Sequence, residues 1–309
     1  MSGSDVRETV NMELDTTSRL CVGVFGYARP RHLERCLESL SRCPEAKDVA
    51  LHIYCDGPPT GADDAMLIGI AETRAIATKA SGFGTIRLFF SEENQGVARA
   101  VPAGVTAMLQ HNEQVVVIED DLEVSPCFLT YMLDGLRVYA SDRQVMAISG
   151  YTWPTFEDGT SGTYFSKFAH YWGWATWRRA WQTYTSDGLA LLTALEQKGL
   201  STDFDGYSVF PRKSTQILEL YSNGEMGIWD ICWSATVLLN GGQCLYPRHT
   251  LVRNHGFDGS GMHCRRFAAV PFELQELSSV PIGVKLEPAV EEVKSFEKCH
   301  AMRQLLLQR

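Results

Sequence analysis

Between residues 20 and 149, short apolar runs alternate with segments of helical periodicity, and this rhythm constrains the fold more than any other feature of the chain. Residues 20–25 form a continuous apolar run of the kind that makes a strand buried on both faces. Pro30 follows and suits the first turn of a helix. Leu33, Leu37 and Leu40 then recur at helical spacing with charges between them. A second strand is predicted over 49–55, stopped by the turn Asp56-Gly57-Pro58-Pro59. A helix over 63–80, a strand over 86–90, a loop from Ser91 to Gly96, another helix and a strand over 115–118 continue the pattern. A helix over 126–140 and a strand over 145–149 complete it. Alternation of this kind predicts an α/β fold: a Rossmann-like, mostly parallel sheet with helices on both faces.

The chain has 309 residues and 45% hydrophobic content, enough to bury one large domain or two closely fused lobes. A formal net charge of −9 argues against a nucleic-acid partner held by phosphate contacts. The nine cysteines are odd in number and contain no C-x-x-C pair, so they resemble neither a disulfide framework nor a zinc site. Reduced thiols make the cytoplasm the simplest compartment. Residues 1–20 read as a loose tail without an apolar signal core, and no run is long enough to span a bilayer.

The expected organisation is a tail (1–20), a first lobe (21–150), a second lobe (151–285) and a C-terminal helix (286–309). The second lobe is rich in aromatics, with Trp172, Trp174, Trp177 and Trp181 partly at helical spacing. Helices are predicted over 174–184, 187–198, 211–223 and 230–240, and strands over 243–246 and 249–253.

Glu119-Asp120-Asp121 follows the apolar strand 115–118 directly. Open parallel sheets bind ligands beyond the carboxyl ends of their strands. Adjacent carboxylates there repel one another unless a cation or hydrogen-bond donors compensate, and hard oxygen ligands suit Mg²⁺ or Mn²⁺. The bland reading is a solvated acidic turn or a helix N-terminus.

Phe25-Gly26-Tyr27-Ala28-Arg29-Pro30 resembles the opening of GT-A fold glycosyltransferases, in which an apolar strand runs into a Y-x-R-P turn. Asp56-Gly57 resembles their nucleotide-base contact, and Asn94-Gln95-Gly96 their N-x-G segment before a helix. Glu119-Asp120-Asp121 resembles their D-x-D motif, in the E-D-D form of the N-acetylglucosaminyltransferase I group and related bacterial sugar transferases. Four elements in order are more specific than any one of them.

The resemblance implies a nucleotide-sugar lobe fused to an acceptor-binding lobe. Asp56 would read the base, and Tyr27, Asn94 and Gly96 would also bind the nucleotide sugar. Arg29 and Arg99 would lie near ribose and phosphates. Glu119 and Asp120 would contact ribose or sugar, and Asp121 would ligate Mn²⁺ or Mg²⁺.

The segments 170–177, 227–230 and 254–264 also resemble bacterial sugar transferases. Asp230 is the candidate general base, since inverting sugar transfer needs a carboxylate opposite the leaving phosphate. Its bland reading is a helix N-cap. Trp172, Trp174 and Trp229 are candidates for an acceptor floor, with core packing the competing role. Of the late histidines, His263 is favoured over His255 as a further metal ligand. Arg248, Arg253, Arg265 and Arg266 could meet a phosphate or be ordinary surface charge.

The implied partners are a nucleotide diphosphate sugar and a glycan or lipid-linked sugar acceptor. A lipid-linked acceptor would bring a peripheral membrane contact. Two other readings stay open. A sugar nucleotidyltransferase would release pyrophosphate, but the turn at 26–30 is poor in glycine. A non-catalytic carbohydrate-binding protein would leave the acidic triplet unexplained.

Overall fold

A computed structural model of the chain describes residues 7–8, 20–157, 159–167, 169–208, 212–260, 275–289 and 295–307. The predicted alternation is realised as β2 (Leu20–Gly26), α1 (Pro30–Ser41), β3 (Val49–Cys55), α2 (Asp64–Thr78), β4 (Thr85–Phe90), α3 (Val97–His111) and β5 (Gln114–Glu119). A short β6 (Leu122–Val124), α4 (Phe128–Val138) and β7 (Val145–Ser149) follow. Every residue of β2 and β7 is buried, as continuous apolar runs require of strands covered on both faces.

Side chains alternate across the sheet. On β2 the odd-numbered positions face α3, where a Cβ on Gly104 would fall 2.6 Å from the Phe25 ring. Gly26 faces α1, close to Leu33. Helices therefore cover both faces, as predicted.

The second half adds β8 (Thr163–Ser166), β9 (Trp174–Trp177) and β10 (Gln243–Pro247) to the same sheet, so one sheet crosses the expected lobe boundary near residue 150. With β1 (Arg7–Glu8) paired to β4, the order is β1-β4-β3-β2-β5-β9-β7-β10-β8. Six of these nine strands share one direction, and β1, β8 and β9 oppose them. From β2 the chain steps outward to β3 and β4, then crosses back to β5 on the other side of β2. The crevice between the carboxyl ends of β2 and β5 is thus the topological switch point, where open α/β sheets place their ligands.

The helix expected over 174–184 is a correction. Residues 174–177 are β9, antiparallel between β5 and β7, and only α5 (Arg178–Trp181) is helical. All four β9 residues are buried, so no alternation marked the strand, and the tryptophan spacing imitated a helical period. The strand expected over 249–253 is the shorter β11 (Val252–Asn254), paired with β6. The C-terminal helix begins later than residue 286: residues 281–289 are non-helical, consistent with Pro281 and Pro288, and α10 runs Ser295–Leu307 with Cys299 and Met302 buried.

Beside the sheet, α6 (Gly188–Gln197), α7 (Ser201–Gly206), α8 (Ser214–Ser222) and α9 (Asp230–Leu239) enclose a second hydrophobic cluster around Leu191, Leu195, Leu218 and Cys232. The eight cysteines among the described residues are free thiols. Among the described residues, no helix is long and apolar enough to cross a membrane.

Candidate active site

The carboxyl ends of β2 and β5 are joined by polar contacts. The Asp120 N–H donates to the Phe25 carbonyl (2.8 Å), and the Tyr27 N–H donates to Asp120 Oδ2 (3.0 Å). Between Tyr27 and Arg29 the backbone turns through Ala28 at φ +50, a left-handed conformation that costs a non-glycine residue about 1 kcal/mol. After this turn the Arg29 guanidinium meets both aspartates, donating to Asp120 and, at 3.0 Å, to Asp121 Oδ2. Arg29 also caps α1 through its backbone carbonyl, which accepts from the Leu33 N–H.

The electrostatics follow from this packing. Asp120 is 1% exposed. Burial pushes its carboxyl above its ordinary value, while Arg29 and the Tyr27 N–H pull it back. Burial opposes charge on Arg29 too, but the two aspartates outweigh it and hold the guanidinium firmly protonated. Glu119, the last residue of β5, makes no ion pair among the described residues, and the Arg29 charge only partly offsets what raises it. Burial first, then the Asp121 and Asp230 carboxylates, raise it well above the usual carboxylate range. Four carboxylates thus line one cleft, two of them paired with the Arg29 guanidinium, leaving an excess of negative charge.

β6 and β11 bring the segment after residue 252 to this cluster. Arg253 pairs in register with Glu123, and the His255 N–H donates to the Asp121 carbonyl at 2.8 Å. Gly256 lies against Asp121: a Cβ there would fall 2.4 Å from Asp121 Oδ2. The His255 ring meets Glu123 at 2.8 Å and does not line the cleft. His263, Arg265 and Arg266 lie outside the described residues. Arg253 also pairs toward Glu123, and the Arg248 guanidinium sits over the Tyr164 ring at 4.9 Å.

Asp56 ends β3. Its Oδ1 accepts from the Gly57 and Gln95 N–H groups, both at 2.8 Å, and its Oδ2 from the Gly96 N–H (2.9 Å) and Asn94 Nδ2 (3.1 Å). These four bonds match the roughly four acceptor sites of a carboxylate. The side chain is spent on holding the 94–96 loop, where Gly96 takes φ +70 at the start of α3. This clamp was not anticipated, although an acid followed by Gly-Pro-Pro and matched by Asn-Gln-Gly is a signal for it. Arg99, in the first turn of α3, is exposed and lines the cleft.

The cleft has a volume of about 1460 Å³ and receives Tyr27, Arg29, Glu119, Asp121 and Asp230 from its two sides. Asp230 is the first residue of α9, with Trp229 at the N-cap position, so its side chain is not the N-cap. Trp229 is buried yet lines the cleft, stacked on Trp174 at 5.2 Å and 28°. Trp174 is a core residue, 1% exposed, that supports Trp229 from behind and does not itself line the cleft. Trp172 is half-buried, lines the cleft and packs on Tyr151 and His170 at 4.6 Å each. The sequence reading also missed a stack of Phe25, Tyr54 and Phe89 across β2, β3 and β4 (4.7 and 4.6 Å), which lines the cleft near Asp56.

Among the described residues, no group of three or more His, Cys, Asp or Glu side chains is arranged to hold a metal ion alone. The donor set fits an ion that arrives with a diphosphate, because Mg²⁺ is usually held by one or two carboxylates plus phosphates and waters. Asp121 supplies what that mode needs: a side chain 12% exposed, lining the cleft, with one oxygen on Arg29 and the other without a hydrogen bond among the described residues.

No protein-family model and no curated protein matches the chain. Among solved structures it is similar to the mannosyltransferase PcManGT from Pyrobaculum calidifontis in complex with GDP-Man and Mn²⁺, at 16% identity and a TM-score of 0.36, over 62% of this chain and 50% of that one. It is also similar to glucosyl-3-phosphoglycerate synthase from Mycobacterium tuberculosis in complex with Mn²⁺, UDP and glucosyl-3-phosphoglycerate, at 16% identity and a TM-score of 0.36, over 59% and 67%. TarS from S. aureus in complex with UDP-GlcNAc matches at 16% identity and a TM-score of 0.30, over 42% and 33%. The chain thus spans half the length of the mannosyltransferase and a third of TarS. All three likenesses are remote and assign no activity to the chain.

Proposed function

We propose that the chain is a metal-dependent, inverting glycosyltransferase of the GT-A type, moving a sugar from a nucleotide diphosphate donor to a hydroxyl of a glycan or glycolipid. The observation that carries this reading is the gathering of Glu119, Asp120, Asp121 and Asp230 around one open cleft at the switch point of the sheet. The excess negative charge of that cluster is unfavourable alone and favourable beside a cation.

Asp121 would hold Mn²⁺ or Mg²⁺, which when bound supplies positive charge to the diphosphate as it leaves. Arg29 pairs with Asp120 and Asp121 and fixes their direction. The N-terminus of α3, behind Gly96 and Arg99, offers backbone N–H groups and a cation to a phosphate. Asp56 and Asn94 act on the donor by shaping this loop. Asp230 accepts the proton of the acceptor hydroxyl as its oxygen attacks the anomeric carbon. The bond from that carbon to the diphosphate oxygen breaks, and its electron pair leaves with the diphosphate. Trp229 and Trp172 present ring faces for the acceptor, and Trp174 holds Trp229 in place.

The test is nucleoside diphosphate release from UDP-, GDP-, CDP- and dTDP-sugars with a glycoside acceptor panel. Removing a general base costs about 10²–10⁴ in rate. Asp230→Asn is therefore expected to lower kcat by at least about a hundredfold while the donor KM stays within about threefold. A variant with undiminished kcat rules Asp230 out as the base. Absence of release with every donor rules out the activity.

A further inference from the structure

The cleft is larger than the about 300–1,000 Å³ that a small-molecule site usually offers, so it has room for a second molecule beside the donor. Its far wall differs sharply from the carboxylate side. Phe204 of α7, Ile217 of α8, Met226 and Ile228 before α9, and Ile231 and Leu238 on α9 all line it. These side chains belong to the second hydrophobic cluster or pack against it, so the wall is a fixed apolar surface.

The polar side chains in this part of the lining are hydroxyls and two charges: Tyr207, Ser208, Ser214 and Ser234, with Arg212 and Asp230. Between residues 204 and 238, no Asn, Gln or Glu side chain is among the described residues lining the cleft, and the one acid is Asp230. Ser234 is already paired with the Tyr171 hydroxyl at 3.2 Å. An oligosaccharide lying here would leave many hydroxyls without partners, a desolvation cost that sugar-binding surfaces avoid by supplying amides and carboxylates. The cations of this end are Arg212, which is exposed, and Lys167, whose ammonium lies over the Tyr207 ring at 5.8 Å.

We infer that the acceptor is an amphiphile: its hydroxyl-bearing sugar lies at Asp230, and an alkyl chain joined to it through a phosphate lies along the Phe204–Leu238 wall, with the phosphate at Arg212. This rests on the glycosyltransferase reading and names its acceptor class. The apolar wall matches the chain, and the cationic side chains match the phosphate.

The test uses the full chain and a set of hexosides, each as the methyl and the octyl glycoside, together with octanol and octyl phosphate, all below micelle-forming concentrations. Binding is followed by tryptophan fluorescence and transfer by product formation. Each buried methylene is worth about a fourfold gain in affinity. The octyl glycosides are therefore expected to bind at least about tenfold tighter than the methyl glycosides. Octyl phosphate should bind at least about fivefold tighter than octanol, and Arg212→Gln should abolish that difference. Ile228→Asn should remove most of the octyl advantage. Equal affinity of methyl and octyl glycosides for the wild-type chain overturns the inference, whatever the variants do. A nucleotide-dependent thermal shift measured on the same protein separates the two ideas. If the shift is present and chain length has no effect, the amphiphile fails and the transferase stands. If no nucleotide shifts a folded protein, the transferase fails, and the inference built on it fails too.

Discussion

Replacing Asp56 with asparagine should destabilise the fold and weaken binding of every donor alike. The wild-type carboxylate accepts four hydrogen bonds, three from backbone N–H groups and one from Asn94. An asparagine keeps one acceptor oxygen and turns the other into an NH₂ group that faces two donors. Two hydrogen bonds to a charged acceptor are lost, each worth about 1.5–3 kcal/mol. These bonds are only partly buried, so water recovers some of that loss, and a net cost of about 2–3 kcal/mol is expected. For a chain of this size the fall in Tm is about 4–6 °C, at roughly 2 °C per kcal/mol. The loop that releases is the one ahead of α3, so KM should rise by a similar factor for uridine, guanosine, cytidine and thymidine donors. Thermal melts and a donor KM panel read both effects. An unchanged Tm together with loss of discrimination among bases would refute the clamp and restore Asp56 as a reader of the base.

Three further outcomes follow from the same geometry. Arg29→Ala leaves Asp120, 1% exposed, without its counter-charge and should cost about 3–5 kcal/mol; a chemical denaturation midpoint unchanged from wild type would contradict the pairing. Gly256→Ala places a methyl 2.4 Å from Asp121 Oδ2 and must displace that carboxylate, so metal-dependent nucleotide affinity should drop at least about tenfold, as read by calorimetric titration. Burial holds His170 near pKa 3, and burial with Arg87 and His111 holds His52 near 4. Both are protonated in the unfolded chain below about pH 6.5 and neutral in the fold. Their contribution is therefore complete above pH 6.5 and declines as pH falls toward 4, by about 1.4 kcal/mol per pH unit for each. His52→Gln should flatten the measured slope between pH 6 and pH 5 by about that amount, and an unaltered slope would count against it.

The centre of the parallel sheet was legible because its strands are covered on both faces and so read as unbroken apolar runs, as in β2, β7 and residues 115–118 of β5. The same full burial hid β9, where Trp174, Ala175, Thr176 and Trp177 carry no alternation and the tryptophans fall three and four residues apart. The acidic triplet was legible from its place after a buried strand. Its counter-charge was not: Arg29 is about 90 residues away in sequence, and only the sheet order puts β2 beside β5. Asp56 was readable as important but not as saturated, because its partners depend on how a distant loop folds back. Trp172, Trp174 and Trp229 looked equivalent in sequence, and only packing separates the buried support from the two rings that reach the cleft.

The central claim is that Asp121 and its neighbours form a site for a metal-bound nucleoside diphosphate. The most direct measurement is the thermal shift of the wild-type chain and of Asp121→Ala with UDP, GDP, CDP and dTDP, each with Mn²⁺ and with EDTA. A ligand at a hundred times its Kd stabilises a fold by about 2.7 kcal/mol, about 5 °C here at roughly 2 °C per kcal/mol. The account predicts a shift of that size for at least one nucleotide with Mn²⁺, abolished by EDTA and by Asp121→Ala. A well-folded wild-type chain that responds to no nucleotide, or whose response survives both EDTA and Asp121→Ala, would contradict it.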